Sequence, residues 1–109
     1  MEIKFLHKTC IITPLTSMLD KHESMRIMEE IKKIKNAKFG LNLQYVDDCT
    51  IDFFDVIKNI NNIGIYNINA NVFTLLNIMN FDKYINLYTT EDDFVNNTFR
   101  LVNRKLKIA

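Results

Sequence analysis

The chain has 109 residues, 48% of them hydrophobic and 25% charged, which is enough for one buried core and too little for two independent ones. Fourteen lysines and arginines against 13 acidic residues give a formal charge of +1, so there is no cationic surplus to neutralise a run of phosphates and nucleic acid is a poor partner. The same figures exclude collagen-like, low-complexity and disordered classes.

Residues 1–8 alternate charged and apolar side chains, and no later run approaches the roughly 18 apolar residues of a membrane span. Cys10 and Cys49 stand far apart without a C-x-x-C motif, so neither a zinc knuckle nor a disulfide framework is indicated. A single cytoplasmic domain over residues 1–109, with no direct membrane insertion, is expected.

Residues 3–6 and 10–15 are short apolar stretches separated by His7, Lys8 and Thr9, which predicts a hairpin, with Pro14 at a strand exit. Asp20 and Glu23 form a capping box ahead of a helix whose Ile27, Met28, Ile31 and Ile34 fall on one face. Residues 38–44 alternate strictly, with Phe39, Leu41 and Leu43 opposite Gly40 and Asn42, as a strand with unequal faces does. A polar joint, residues 47–52, leads to a short helix over 53–61 with Phe53, Val56, Ile57 and Ile60 inward and Asp52 as its expected N-cap. Residues 63–66 read as a strand. Asn69 or Asn71 then opens a helix with Val72, Leu75, Leu76 and Met79 in one stripe, closed by Asn80 in a left-handed cap with Phe81 folding back. Residues 85–88 form a last strand, and Thr89 and Thr90 cap a final helix with Val95, Phe99, Val102 and Leu106 buried and Arg100, Arg104, Lys105 and Lys107 at its end.

The order β-β-α-β-α-β-α-β-α requires helical crossovers between parallel strands. It predicts an α/β fold: a single mixed sheet with helices mainly on one face and the other face partly open.

Few residues suggest chemistry. His7 and His22 have no carboxylate or cysteine at ligand spacing and read as exposed polar residues. Cys49, just before a helix start, has the position of an activated thiol, but no histidine or asparagine is placed by sequence as its base, and a buried structural thiol fits better. Asp47, Asp48, Asp52 and Asp55 lack EF-hand spacing and its glycine, which favours solvated capping carboxylates over a Mg²⁺ site. Phosphate loops, G-x-S-x-G and H-E-x-x-H are absent, and two glycines are too few for a nucleotide cradle. No cofactor and no enzymatic activity are expected.

Three stretches carry a resemblance to a known family. Residues 10–20, CIITPLTSMLD, are similar to the apolar strand and Gly-Glu-Leu-Asp turn of STAS domains, with Ser17 and Met18 in place of Gly and Glu. Residues 41–46, LNLQYV, resemble the family's Leu-Asp-Leu-Ser-x-Val strand. Residues 72–88, VFTLLNIMNFDKYINLY, followed by TTEDD, resemble its helix, Gly-Leu-Asp-Lys turn, short strand and acidic helix start. STAS domains include bacterial anti-sigma-factor antagonists, stressosome components and the cytosolic tails of sulfate transporters.

The chain departs from the family at the phosphoacceptor. Antagonists carry Asp-Ser-Ser-Gly at the mouth of the second helix, and a partner kinase, the anti-sigma factor, phosphorylates the second serine; here no serine follows Ser24. Without a gap from Leu41, Asp52 takes the acceptor position, Ile51 the preceding serine and Phe53 the glycine; slipped by two, Asp48-Cys49-Thr50 stands for Asp-Ser-Ser with Thr50 as acceptor. A phosphate would bring nearly two switchable charges to that helix start, whereas an aspartate brings one permanent charge. The resemblance implies a non-catalytic signalling module that binds a kinase-like anti-sigma factor or regulatory scaffold and so acts in transcription regulation. An accessory subunit of a lipid or anion transporter is the alternative. The implied contact surface joins residues 17–23 to residues 47–55, with Ser17, Asp20, His22, Asp48, Cys49 and Asp55 as its partner-binding residues.

Overall fold

A computed structural model describes residues 1–102. Strands β1 (Glu2–Leu6) and β2 (Thr9–Thr13) form the expected antiparallel hairpin, with His7 in the left-handed region at the turn, φ 57°. The chain continues through β3 (Met18–Leu19), α1 (Lys21–Lys32), β4 (Lys38–Asn42), β5 (Asp48–Cys49), α2 (Ile51–Ile57), β6 (Ile63–Tyr66) and α3 (Ala70–Ile78). A 3-10 turn (Phe81–Lys83), β7 (Asn86–Leu87) and α4 (Glu91–Asn96) complete it. Five strands make one mixed sheet in the order β1-β2-β4-β6-β7, with every pair beyond the hairpin parallel. The expected element order is therefore present, with one addition: β3 and β5 pair as a separate parallel ribbon.

The two sheet faces are covered differently. On one, Cys10, Ile12, Phe39, Leu41, Ile63, Ile65 and Leu87 meet Ile27 and Ile31 of α1, Phe53, Phe54 and Ile57 of α2, and Val72 and Leu76 of α3 in a single buried cluster. On the other, Ile11, Tyr66 and Tyr88 enclose Phe94 of α4. Phe94 lies over two glycines: a Cβ on Gly40 would come within 2.6 Å of its ring, and one on Gly64 within 2.3 Å. Its ring stacks on Tyr66 at 5.4 Å and meets Tyr88 edge-on at 5.6 Å, while Lys38 Nζ sits 4.5 Å above it. The expectation of a partly open second face is thus corrected at its centre, which α4 occupies.

Turn chemistry rests on asparagine. Asn36, Asn62, Asn67, Asn80 and Asn97 all have left-handed backbones, a conformation whose short side-chain amide makes it accessible without glycine. Neither glycine does so; both are kept small for Phe94.

Several expected boundaries move. The second strand stops at Thr13, before Pro14, whose missing N–H cannot continue the ladder. Helix α2 runs from Ile51 to Ile57 instead of over 53–61, and its N-cap is Thr50, not Asp52: Thr50 is extended (φ −93°, ψ 166°) and its carbonyl accepts from Phe53 N at 3.1 Å. The last helix is short. Asn97 turns left-handed at φ 53°, and Thr98 N closes on Asp93 O at 2.9 Å, which ends α4. Its buried residue is Phe94; Val95, Phe99 and Val102 of the expected stripe are exposed, Phe99 by 82%. Arg104, Lys105, Leu106 and Lys107 lie outside the described residues. After α4 the chain turns back, and Leu101 N donates to Leu87 O at 2.7 Å, adding an antiparallel bridge to β7.

Candidate functional site

The C-terminal ends of the parallel strands form one rim of the molecule, where open α/β sheets display their loops. Two loops meet there. Met18 pairs with Asp48 and Leu19 with Cys49 in the β3–β5 ribbon. Asp47 N and Asp48 N both donate to Ser17 O, at 2.8 and 3.1 Å, and Thr50 N donates to Leu19 O at 2.9 Å. Buried Leu19 anchors this ribbon in the core while Met18, beside it, faces out, the alternation a strand imposes. Asn69 fastens the joint from a third element: its side-chain oxygen caps α3 by accepting from Val72 N at 3.0 Å, and its amide donates to Asp47 O at 2.6 Å.

Asp20 is exposed and accepts from Glu23 N at 2.9 Å, capping α1. Ser17 and His22 are exposed. Asp48 is half-buried, and its carboxylate accepts from Cys49 N at 2.8 Å. Thr50 is half-buried with its hydroxyl a long 3.5 Å from Leu19 O. Asp52 is exposed in the first turn of α2, where a negative charge complements the backbone N–H groups. Asp55 is exposed one turn further on and pairs with Lys58 at 3.4 Å. All of these belong to the two loop–helix segments that the ribbon holds side by side. Cys49 is different. It is 7% exposed and belongs to the core cluster, and desolvation, with Asp48 adding a smaller effect, pushes its thiol up to about 11. At neutral pH it is a neutral thiol, not a nucleophile.

One feature of this end of the sheet is not legible in sequence. Leu15, Met18, Tyr45 and Ile51 are exposed apolar residues on the loops and helix start at this end of the sheet. Segments 17–23 and 47–55 together also hold six acidic residues against one lysine, in a chain whose overall charge is +1. An apolar patch among carboxylates can bury hydrocarbon against a partner while its charges select a cationic surface. Among the described residues, no group of three or more His, Cys, Asp or Glu side chains is placed to hold a metal ion, and no helix is long and apolar enough to cross a membrane.

No protein-family profile and no curated protein matches the chain. Among solved structures, it is similar to a Thermotoga maritima protein described as a candidate anti-sigma-factor antagonist, with a TM-score of 0.75 at 18% identity over 89% of this chain and 92% of that one. The fold is therefore that of the STAS-type α/β proteins the sequence resembles.

Proposed function

We propose that this chain is a non-catalytic STAS-type interaction module that docks a protein partner through the rim built by β3, β5 and the starts of α1 and α2. The observation that carries this reading is the ribbon itself, which puts Met18, Asp20, Asp48, Thr50, Ile51 and Asp52 on adjoining segments and leaves Met18, Ile51 and Asp52 facing solvent. Asp52 acts as a fixed charge in place of a phosphoserine, so docking is constitutive instead of switched. The excess of carboxylates calls for a basic partner surface. The family's anti-sigma factors, which are kinase-like ATPases, are the first candidates for it, and the ATPase of a lipid or anion transporter is the second.

Incubation with a lysate of the source cell and ATP, followed by intact-mass measurement, tests the fixed-charge reading. An unmodified mass is expected; a phosphate mapped to Thr50 would replace it with a switched antagonist. Affinity capture then distinguishes the partners, since an anti-sigma kinase and a membrane transporter component differ in sequence and in fractionation.

A further inference from the structure

The rim is not the molecule's only unpartnered feature. Among the described residues, strand β1 lies at the end of the sheet and pairs on one side only, with β2. Its Ile3 and Phe5 share a face with Cys10 and Ile12, yet they are 39% and 59% exposed, because the cover of the helices stops short of this edge. The opposite face of β1 carries Glu2 and Lys4, with Lys4 paired to Glu91 of α4 at 2.9 Å.

The hairpin fixes which backbone groups are free. The turn has two residues, His7 and Lys8, so Leu6 and Thr9 form the hydrogen-bonded pair that closes it. By alternation Lys4 and Glu2 also direct their N–H and C=O toward β2. The N–H and C=O of Ile3 and Phe5 point to the open edge. An unblunted strand edge is a template for pairing with another strand.

We infer that β1 pairs antiparallel with β1 of a second copy of this chain, joining two five-stranded sheets about a two-fold axis through Ile3. Of the registers that keep the two helix-covered faces on the same side, two satisfy the outward groups of both Ile3 and Phe5 without setting either against the turn residues His7 and Lys8 of the second copy. In one, Ile3 faces Phe5 of the second copy and Lys4 faces Lys4, which repel. In the other, Ile3 faces Ile3 across the axis, Glu2 faces Lys4 and Lys4 faces Glu2. Charge complementarity selects the second, and it repeats twice per dimer because an isologous interface uses each contact twice. Ile3 and Phe5 of both copies then continue the apolar face across the junction. The interface uses β1 alone, whereas the rim is built on β3, β5 and the loops after β2 and β4.

Sedimentation equilibrium over a concentration series up to about 1 mM tests this. The chain is expected to dimerise reversibly. Glu2→Lys opposes lysine to lysine at two places and should weaken the dimer by about tenfold or more. The double exchange Glu2→Lys with Lys4→Glu should restore it, although it loses the bond to Glu91. Circular dichroism on each variant confirms the fold. A monomer at every concentration, a dimer indifferent to Glu2→Lys, or a double exchange that fails to recover dimerisation in a folded chain would each overturn the inference.

Discussion

The two faces of the sheet solve one problem by opposite means. The helix-covered face spreads its core over three helices and more than a dozen aliphatic and aromatic side chains, none of which is alone in closing it. The other face is closed by one ring, Phe94, seated on Gly40 and Gly64 between Tyr66 and Tyr88. A distributed core can relax around a loss, whereas a single aromatic plug cannot, so stability should be most sensitive where the fewest residues act.

Trimming the plug is the largest test of that contrast. Phe94→Ala removes the stacked ring and is expected to cost about 3–5 kcal/mol in denaturant unfolding, with α4 losing its anchor. Val72→Ala on the opposite face, a smaller deletion in a shared cluster, should cost visibly less. Equal losses would erase the distinction between the faces.

Next comes Gly64→Ala. Its added methyl has no room, at 2.3 Å from the ring, and moving Phe94 should cost about 1–3 kcal/mol. Combined with Phe94→Leu the penalty should shrink, and a double-mutant cycle reads the coupling directly. Additive effects would show that the glycine is small for another reason.

Alkaline pH should weaken both faces, but in sequence. Burial raises the thiol of Cys49 to about 11 on the helix side. Burial, reinforced by the Glu91 carboxylate 3.2 Å from its hydroxyl, raises the Tyr66 phenol further on the other. A raised acid favours the neutral form in the folded chain. The stability it contributes is fully present below the unfolded value near 9 and is lost as pH climbs toward the folded one. For Cys49 this amounts to on the order of 2 kcal/mol by pH 11, and Cys49→Ala should flatten the decline between pH 9 and 11. The smallest effect belongs to Asp20→Ala, about 1 kcal/mol from loss of the α1 cap, with little change in the sheet.

The parts of the fold with a strong period were legible in sequence. The alternation of Phe39, Leu41 and Leu43, the Asp20 cap of α1, and the left-handed Asn80 followed by buried Phe81 all stand as expected, although the Glu23 carboxylate pairs with Arg26 and does not complete the capping box. Each depends on local backbone chemistry alone. The last helix misled because Val95, Phe99 and Val102 happen to keep helical spacing, while the left-handed Asn97 ends the element before that stripe can form. Phe94 escapes a local reading for the same reason, since nothing local says that Gly40 and Gly64, far off in sequence on other strands, make a seat for it. At the rim, the adjoining positions of the Ser17 and Asp48 segments followed from the resemblance. Met18, Ile51 and the β3–β5 ribbon did not, because a two-residue strand leaves no period to read.

The rim's role in docking is tested most directly by the affinity of a captured partner for the native chain and for the Asp52→Lys and Ile51→Asp variants, neither of which disturbs a buried side chain. The account predicts that each variant weakens binding by roughly tenfold or more, and that binding of the native chain falls as salt rises. Equal affinity for all three chains, with their folds intact, would contradict it.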